Sequence, residues 1–322
     1  MRMFAMTRAV ALIALFAAVF PAQAQDYPSR PITLIVPYAA GGGNDLMARS
    51  AAEKMSKTLG HQIVIENRGG AGGSIATRAI AKAAADGYTL GLGGTGTLAI
   101  NPTLYGNVGY DPRKDFAPVG LIATSALVVC VHPALSARSI GELIALAKTQ
   151  PGKLNYASAG TGSGIHLGTE YFATMAGIKL THIPYKGSGP ALTDLVGGHV
   201  AIYFSSLPPA LGLVKEGKVR ALAVTGAKRS PIFPELPTVA EAALPGYEAV
   251  LHYGIVAPAG APTRIDREWM QWSKRSLQRV GNMIFMICCV ATASRRLPTF
   301  PMPVTAFSST GRFPTRTCTP FR

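Results

Sequence analysis

The chain of 322 residues carries 31 Lys and Arg against 16 Asp and Glu, a formal net charge of +15. More than half of that charge, +8, falls in residues 264–322, and residues 26–263 carry only +5. Because this larger part has no basic helix and no aromatic–basic patch, the composition excludes nucleic acid as a partner. It leaves a mildly basic protein, which suits an anionic ligand.

Cysteine and histidine are too scattered to predict a disulfide framework or a metal site. Of the four cysteines, only Cys130 lies in the well-patterned part of the chain, in an apolar run that predicts core packing. We therefore expect no metal and no cofactor. We interpret as structural the histidines at four isolated positions: His61, His132, His199 and His252.

The N-terminus has the three parts of a secretory signal peptide. Arg2 and Arg8 supply a positive region, residues 9–20 are an unbroken apolar run, and residues 22–24 (AQA) give the small-x-small cleavage pattern. We predict a signal peptide over residues 1–24, cleaved after Ala24, and a periplasmic protein. The alternative, a membrane anchor, needs roughly 20 apolar residues, more than this run contains.

The first half of the remaining chain alternates strands and helices. Apolar runs predict strands over 32–36, 62–66, 88–92, 119–123 and 127–131, and helical periodicity predicts helices over 44–59 and 74–85. Alternation of this kind predicts a mainly parallel sheet flanked by helices.

The same alternation begins again after residue 138. Ser139 and Glu142 form a capping-box pattern, strands are predicted over 154–158, 181–185, 200–204 and 219–224, and helices over 164–176, 190–196 and 207–216. The fold class is therefore α/β with two lobes. We place lobe 1 at residues 25–123, with a return segment at about 251–262, and lobe 2 at residues 124–250.

The pattern ends after residue 262. Residues 264–322 are rich in Arg, Ser, Thr and Pro, and neither a helical nor a strand period continues through them. A disordered tail is one interpretation. We favour a change of reading frame near codon 263, because composition and periodicity change together, and such a change would remove the closing helices of lobe 1.

Three glycine-rich turns follow predicted strands and precede predicted helices, at residues 38–45, 67–74 and 158–164. Such turns leave unpaired N–H groups at a helix N-terminus, where they can bind a carboxylate or phosphate. Several turns of this kind favour an anion-binding cleft over packing alone. None has the Lys-Ser/Thr of a Walker loop, which argues against a nucleotide site.

Side chains near these turns offer two further kinds of chemistry. Ser163 lies in G-T-G-S-G, which departs from the G-x-S-x-G of hydrolases, although His166 is close enough for a serine hydrolase to be a remote alternative. Tyr185 and Lys186 could donate to an anion, and Ser205 could donate to a ligand or precede a helix.

Six segments in order resemble the Bug family, the substrate-binding components of tripartite tricarboxylate transporters. They are YPSRPITLIVPYAAGGGND, VIENRGGAGG, ADGYTL, LNYASAGTGSGIHLGTEYF, HIPYKGSGPALTDLVGGHV and KVRALAVTGAKRSPIFPELPTVAEAALPGYEA. The resemblance extends from about residue 26 to residue 262. It implies the two-lobed architecture of type II periplasmic binding proteins, closing on a small carboxylate.

The resemblance also implies a function and a set of site residues. It predicts a monomeric receptor, not an enzyme, that delivers a di- or tricarboxylate to a large and a small membrane subunit; a periplasmic sensor for a signalling partner is the alternative. Ser205 stands where the family commonly has Asp, which favours an organic acid over an amino acid. The predicted ligand-binding residues are Tyr38, Ala40, Gly42, Gly43, Asn44, Asp45, Gly72, Gly73, Ser158, Thr161, Gly162, Ser163, His166, Tyr185, Lys186 and Ser205.

Overall fold

A computed structural model describes residues 27–262 of the chain. The predicted signal peptide at 1–24 and the atypical segment at 264–322 lie outside these residues. Between residues 27 and 262, none of the helices has the length and apolar character needed to cross a membrane.

The strands match the apolar runs of the sequence closely. They are β1 (Ile32–Val36), β2 (Ile63–Asn67), β3 (Thr89–Gly94), β4 (Phe116–Val131), β5 (Asn155–Ser158), β6 (Thr181–Pro184), β7 (Ile202–Ser206), β8 (Arg220–Val224) and β9 (Val250–Pro258).

The helices lie between these strands. They are α1 (Gly43–Leu59), α2 (Ser74–Ala81), α3 (Asn101–Leu104), α4 (Ile140–Thr149), α5 (Gly164–Ala176), α6 (Ser188–Val196), α7 (Leu207–Lys215) and α8 (Val239–Ala242), with a 3₁₀ turn at Ala71–Gly73 and a π-helical turn at Thr95–Ile100.

The strands form one mixed sheet in the order β2-β1-β3-β9-β4-β7-β5-β6, and β8 pairs with β4. At one end β1 is parallel to β2 and β3, and at the other β5 is parallel to β6 and β7. In the middle, β9 is antiparallel to β3 and β4, and β4 is antiparallel to β7 and β8. Strand–helix alternation thus correctly predicts the parallel ends, and the antiparallel centre comes from long-range pairing.

β4 is one strand of 16 residues where the sequence predicts two. Residues 124–126, which interrupt the apolar pattern, pair with residues 250–252 of β9, so the backbone hydrogen bonds continue through the predicted break. Residues 127–131 then pair with β7. β4 therefore belongs to both halves of the sheet.

Burial explains why the predicted elements form. Ile32, Leu34 and Val36 of β1 are fully buried between two parallel neighbours, and α1 buries the predicted face of Ala48 and Met55 against the sheet. The resulting two-lobed α/β architecture agrees with the predicted fold class. The lobe boundaries at residues 123/124 and 251–262 stay a prediction.

Candidate functional site

A narrow cleft is lined by residues from both halves of the sheet. The lining residues are Tyr38, Asn44, Gly94, Thr95, Gly96, Ala159, Ser163, Gly164, Ile165, Leu251, His252 and Tyr253. They come from the ends of β1, β3 and β5, from the first turns of α1 and α5, and from β9. Ligands of open α/β sheets usually bind at such carboxyl ends of strands.

Two helices direct their N-termini at this cleft. α1, with 17 residues, has no side-chain cap at Gly42, and Asn44 of its first turn lines the cleft. α5, with 13 residues, contributes Gly164 and Ile165 to the same lining. The first N–H groups of a helix lack intrahelical acceptors and form the positive end of its dipole. The cleft therefore offers neutral donors to an anion from two sides.

Neither a cation nor a carboxylate side chain is among the residues that line the cleft in the described part of the chain. The polar side chains there are mainly hydroxyls. Tyr38 donates to the carbonyl of Gly72 at 3.1 Å, and the Tyr253 and Ser206 hydroxyls lie 3.2 Å apart. Burial raises the pKa of Tyr38 above its ordinary value and that of Tyr253 to about 12, so both hydroxyls stay protonated donors.

The glycine-rich turns bring the two lobes into direct contact beside the cleft. A Cβ on Gly43 would lie 2.3 Å from Ser206 Oγ, and one on Gly72 would lie 2.0 Å from the Thr161 carbonyl oxygen. The Ala39 N–H donates to the carbonyl of Lys186 at 3.0 Å across the same contact. These distances leave no room for a Cβ atom at either position in this arrangement of the chain.

Asp45 supports the first turn of α1 from within. Its carboxylate accepts a hydrogen bond from the Gly41 N–H at 3.1 Å and pairs with Arg49 at 3.0 Å. Burial acts to raise the pKa of Asp45, but the hydrogen bonds from Arg49 and Gly41 outweigh it and lower the pKa. The carboxylate is thus satisfied within the turn, which favours a structural role.

The Ser163 hydroxyl caps α5 by accepting the backbone N–H of His166 at 3.2 Å. The His166 ring has a different partner, because its Nδ1 accepts the N–H of Gly162 at 3.3 Å. The serine and imidazole side chains are therefore engaged with the backbone and not with each other. This is not the nucleophile–base hydrogen bond that a serine hydrolase needs.

Three predicted site residues of the second lobe make hydrogen bonds to residues that do not line the cleft: Tyr185, Lys186 and Ser205. Tyr185 donates to the carboxylate of Asp194 at 2.5 Å, and burial, followed by that carboxylate, raises its pKa to about 12. Lys186 contributes its carbonyl to the lobe contact. The Ser205 hydroxyl donates to the carbonyl of Ser206 at 2.9 Å, so the adjacent Ser206 is the serine that faces Gly43 and Tyr253.

Three of the predicted site residues, Tyr38, Asn44 and Ser163, line the cleft. The glycines at 42, 43, 72, 73 and 162 pack in the surrounding contacts, as does Thr161, whose carbonyl accepts the Tyr105 hydroxyl at 2.7 Å. Ala40 is exposed, with its carbonyl beside Gly189, and the buried Ser158 binds the N–H of Gly160 at 3.0 Å. The predicted turns are brought together, and most of their residues shape the cleft without lining it.

Sequence reasoning missed the wall formed by residues 94–96 and 251–253. The Thr95 hydroxyl accepts the His252 N–H at 3.0 Å and lies 3.4 Å from its Nδ1, which joins the two segments. Burial lowers the pKa of His252, so its ring is neutral at pH 7. The glycines that follow the predicted strand at 88–92 could have indicated that residues 94–96 form part of the site. No local sequence pattern indicates His252.

Comparison with known proteins identifies the family. The family described as "Tripartite tricarboxylate transporter family receptor" matches residues 47–282, well over half of the chain. The chain belongs to this receptor family. The match continues through residues 264–282, the first part of the segment predicted to be atypical.

Solved structures of family members support the same conclusion. The R. palustris protein Rpa4515, solved with adipate, is 43% identical to this chain. The match has a TM-score of 0.74 and covers 76% of this chain and 82% of that one. MatC of Rhodopseudomonas palustris, with bound malate, is 35% identical with a TM-score of 0.74, covering 78% and 85%. The periplasmic binding protein BugD is 38% identical with a TM-score of 0.75, covering 78% and 84%. These likenesses confirm the predicted Bug-family resemblance and the two-lobed fold of periplasmic binding proteins.

Proposed function

We propose that the chain is a periplasmic receptor that captures a small dicarboxylate between its lobes and is not an enzyme. Its signal peptide would be cleaved after Ala24, and the closed receptor, as a monomer, would deliver its ligand to a large and a small membrane subunit. Lobe 1 would comprise residues 25–123 with the return at 251–262, and lobe 2 residues 124–250.

One observation carries the proposal: the N-termini of α1 and α5 line a single cleft, without a charged side chain among the lining residues. Each N-terminus can bind one carboxylate through its free N–H groups. A ligand with a carboxylate at each end matches this arrangement. A cationic amine would find no carboxylate among the lining residues.

The relatives point to the same ligand class. Adipate and malate, the ligands named for the two R. palustris structures, are both dicarboxylates. The hydroxyl of Ser163 caps α5 and the imidazole of His166 binds Gly162, which supports binding over hydrolysis.

Titration calorimetry with adipate, malate and citrate, and with the neutral isostere adipamide, tests the proposal. We expect binding of at least one dicarboxylate and no heat from adipamide, because an uncharged amide gains little from the positive ends of two helices. Equal affinity for adipate and adipamide, or binding of none of the acids, would contradict it.

A further inference from the structure

Two histidines contact the turn that connects β5 to α5. His166 lies in the first turn of α5 and His182 in the middle of β6. Their rings are 4.2 Å apart between centroids, and the His182 ring stacks on Tyr156 of β5 at 4.9 Å. The two imidazoles thus form one packed group with β5.

Each imidazole fixes one N–H of the turn. His166 Nδ1 accepts the Gly162 N–H at 3.3 Å. His182 Nε2 lies 2.6 Å from Ser158 Oγ, and that oxygen accepts the Gly160 N–H at 3.0 Å. An Nδ1 that accepts a hydrogen bond belongs to a neutral ring with its proton on Nε2.

The turn held in this way places the wall of the cleft. Gly160 and Gly162 have φ values of +120° and +79°, a conformation that favours glycine. The next residues, Ser163, Gly164 and Ile165, line the cleft. A change in the turn would therefore move the N–H groups at the start of α5.

We propose that His166 and His182 are positioning residues that, as neutral rings, hold the turn at 158–163 in the conformation that presents the N-terminus of α5 to the ligand. Protonation of His166 removes the Nδ1 acceptor of the Gly162 N–H and weakens capture. Only this last step rests on the proposed function, because the hydrogen bonds of the turn are contacts within the chain itself.

The surroundings keep both rings neutral at pH 7. Burial, together with the nearby His166, lowers the pKa of His182 to about 4, and Glu170 opposes this shift. Burial likewise lowers the pKa of His166, against Glu170. The titratable groups that face the pair are Glu170 of α5 and Tyr156 of β5, whose hydroxyl donates to Glu170. Direct attraction between a protonated histidine and a bound carboxylate predicts the opposite sign, tighter binding in acid.

Nuclear magnetic resonance of the full chain without ligand tests the positioning step. In His166→Ala, the Gly162 amide should exchange with solvent about tenfold faster, the effect of losing one hydrogen bond. In His166→Asn, the side-chain oxygen replaces Nδ1, so protection should persist while the titration of the Gly162 shift loses the His166 step and keeps only that of His182, near pH 4. His132→Ala is the matched control, because His132 Nδ1 also accepts a backbone N–H, from Ala134 at 3.2 Å, outside the cleft lining.

Unchanged Gly162 exchange in His166→Ala, or a titration in His166→Asn that matches the wild type, would overturn the proposal, and the second readout remains if the alanine variant does not fold. Adipate titration at pH 7 should show about tenfold weaker binding for His166→Ala and near wild-type binding for His166→Asn and His132→Ala. If the wild-type chain binds no carboxylate, the proposed function fails while the exchange result still decides the role of His166. Lost Gly162 protection with unchanged adipate affinity would overturn the link to capture.

Discussion

At the scale of single residues, glycines determine how closely the two lobes approach. The turn at 38–45 meets Ser188 and Ser206 of the second lobe, and the turn at 67–74 meets Thr161 and Lys186. These contacts give the glycine-rich turns a role in packing beside the anion binding proposed for them, because a side chain at their centres would hold the lobes apart. The hydroxyl of Ser205, the serine predicted from the sequence, donates to the backbone carbonyl of Ser206. The Ser206 side chain, not that of Ser205, contacts Tyr253.

We expect Gly43→Ala to weaken dicarboxylate binding by about tenfold or more. The new Cβ would lie 2.3 Å from Ser206 Oγ and 2.6 Å from Ser206 Cβ, and forcing atoms into a packed contact costs about 1–3 kcal/mol. Calorimetry measures the change. Adding Ser206→Gly removes both clashing atoms and should restore part of the affinity, whereas Gly212→Ala, where nothing lies within 4 Å, should leave binding unchanged. Full affinity in Gly43→Ala would show that the lobes close differently.

At the scale of elements, local capping signals place the helices correctly. The helix predicted at 164–176 has the same bounds as α5, and Pro190 lies in the first turn of α6 as expected. In α4 the predicted box is shifted: Ser139 Oγ accepts the Glu142 N–H at 3.2 Å, but the Glu142 carboxylate accepts the N–H of Arg138 at 2.8 Å. The cap still satisfies one of the free N–H groups of the first turn.

Ser139→Ala should lower the free energy of unfolding by about 1 kcal/mol, since it removes this N-cap. Urea unfolding followed by circular dichroism gives the value. Ser136→Ala is a matched control, because Ser136 is also exposed and its hydroxyl makes no hydrogen bond within the described residues. An equal effect of the two substitutions would show that the cap contributes nothing.

At the scale of the whole molecule, half-buried neutral histidines make stability depend on pH. Burial is the main cause that lowers the pKa of His166, His182 and His252 in the folded chain. An unfolded histidine titrates near 6.5. Between that value and the pKa of about 4 for folded His182, the unfolded state binds more protons. Stability is therefore complete above about pH 6.5 and is lost progressively as the pH falls.

The urea concentration at the unfolding midpoint should accordingly decrease as the pH is lowered from 7 to 4.5. His182→Gln should reduce this decrease, because glutamine can still contact Ser158 and does not titrate. Circular dichroism across this range provides the test. A constant midpoint, or one that rises in acid, would show that these rings are protonated in the folded chain.

The sequence by itself determined the features that depend on neighbouring residues. Buried strands such as β1, the helix N-termini after glycine turns, and the order of the family motifs are local patterns, because a short segment sets its own hydrogen bonds and exposed face. The π-helical turn at Thr95–Ile100 and the short helix α3 were not predicted. Glycine and Pro102 interrupt the helical periodicity of apolar residues on which such a prediction depends.

Only the tertiary structure decided which of these segments meet. β3 and β9 pair across more than a hundred residues of sequence, and that pairing sets His252 against Thr95 on the cleft wall. The position of Ser206, rather than Ser205, against Gly43 and Tyr253 likewise depends on contacts between distant segments. Such contacts arise from chain folding over long separations, so residue type and local spacing do not specify them.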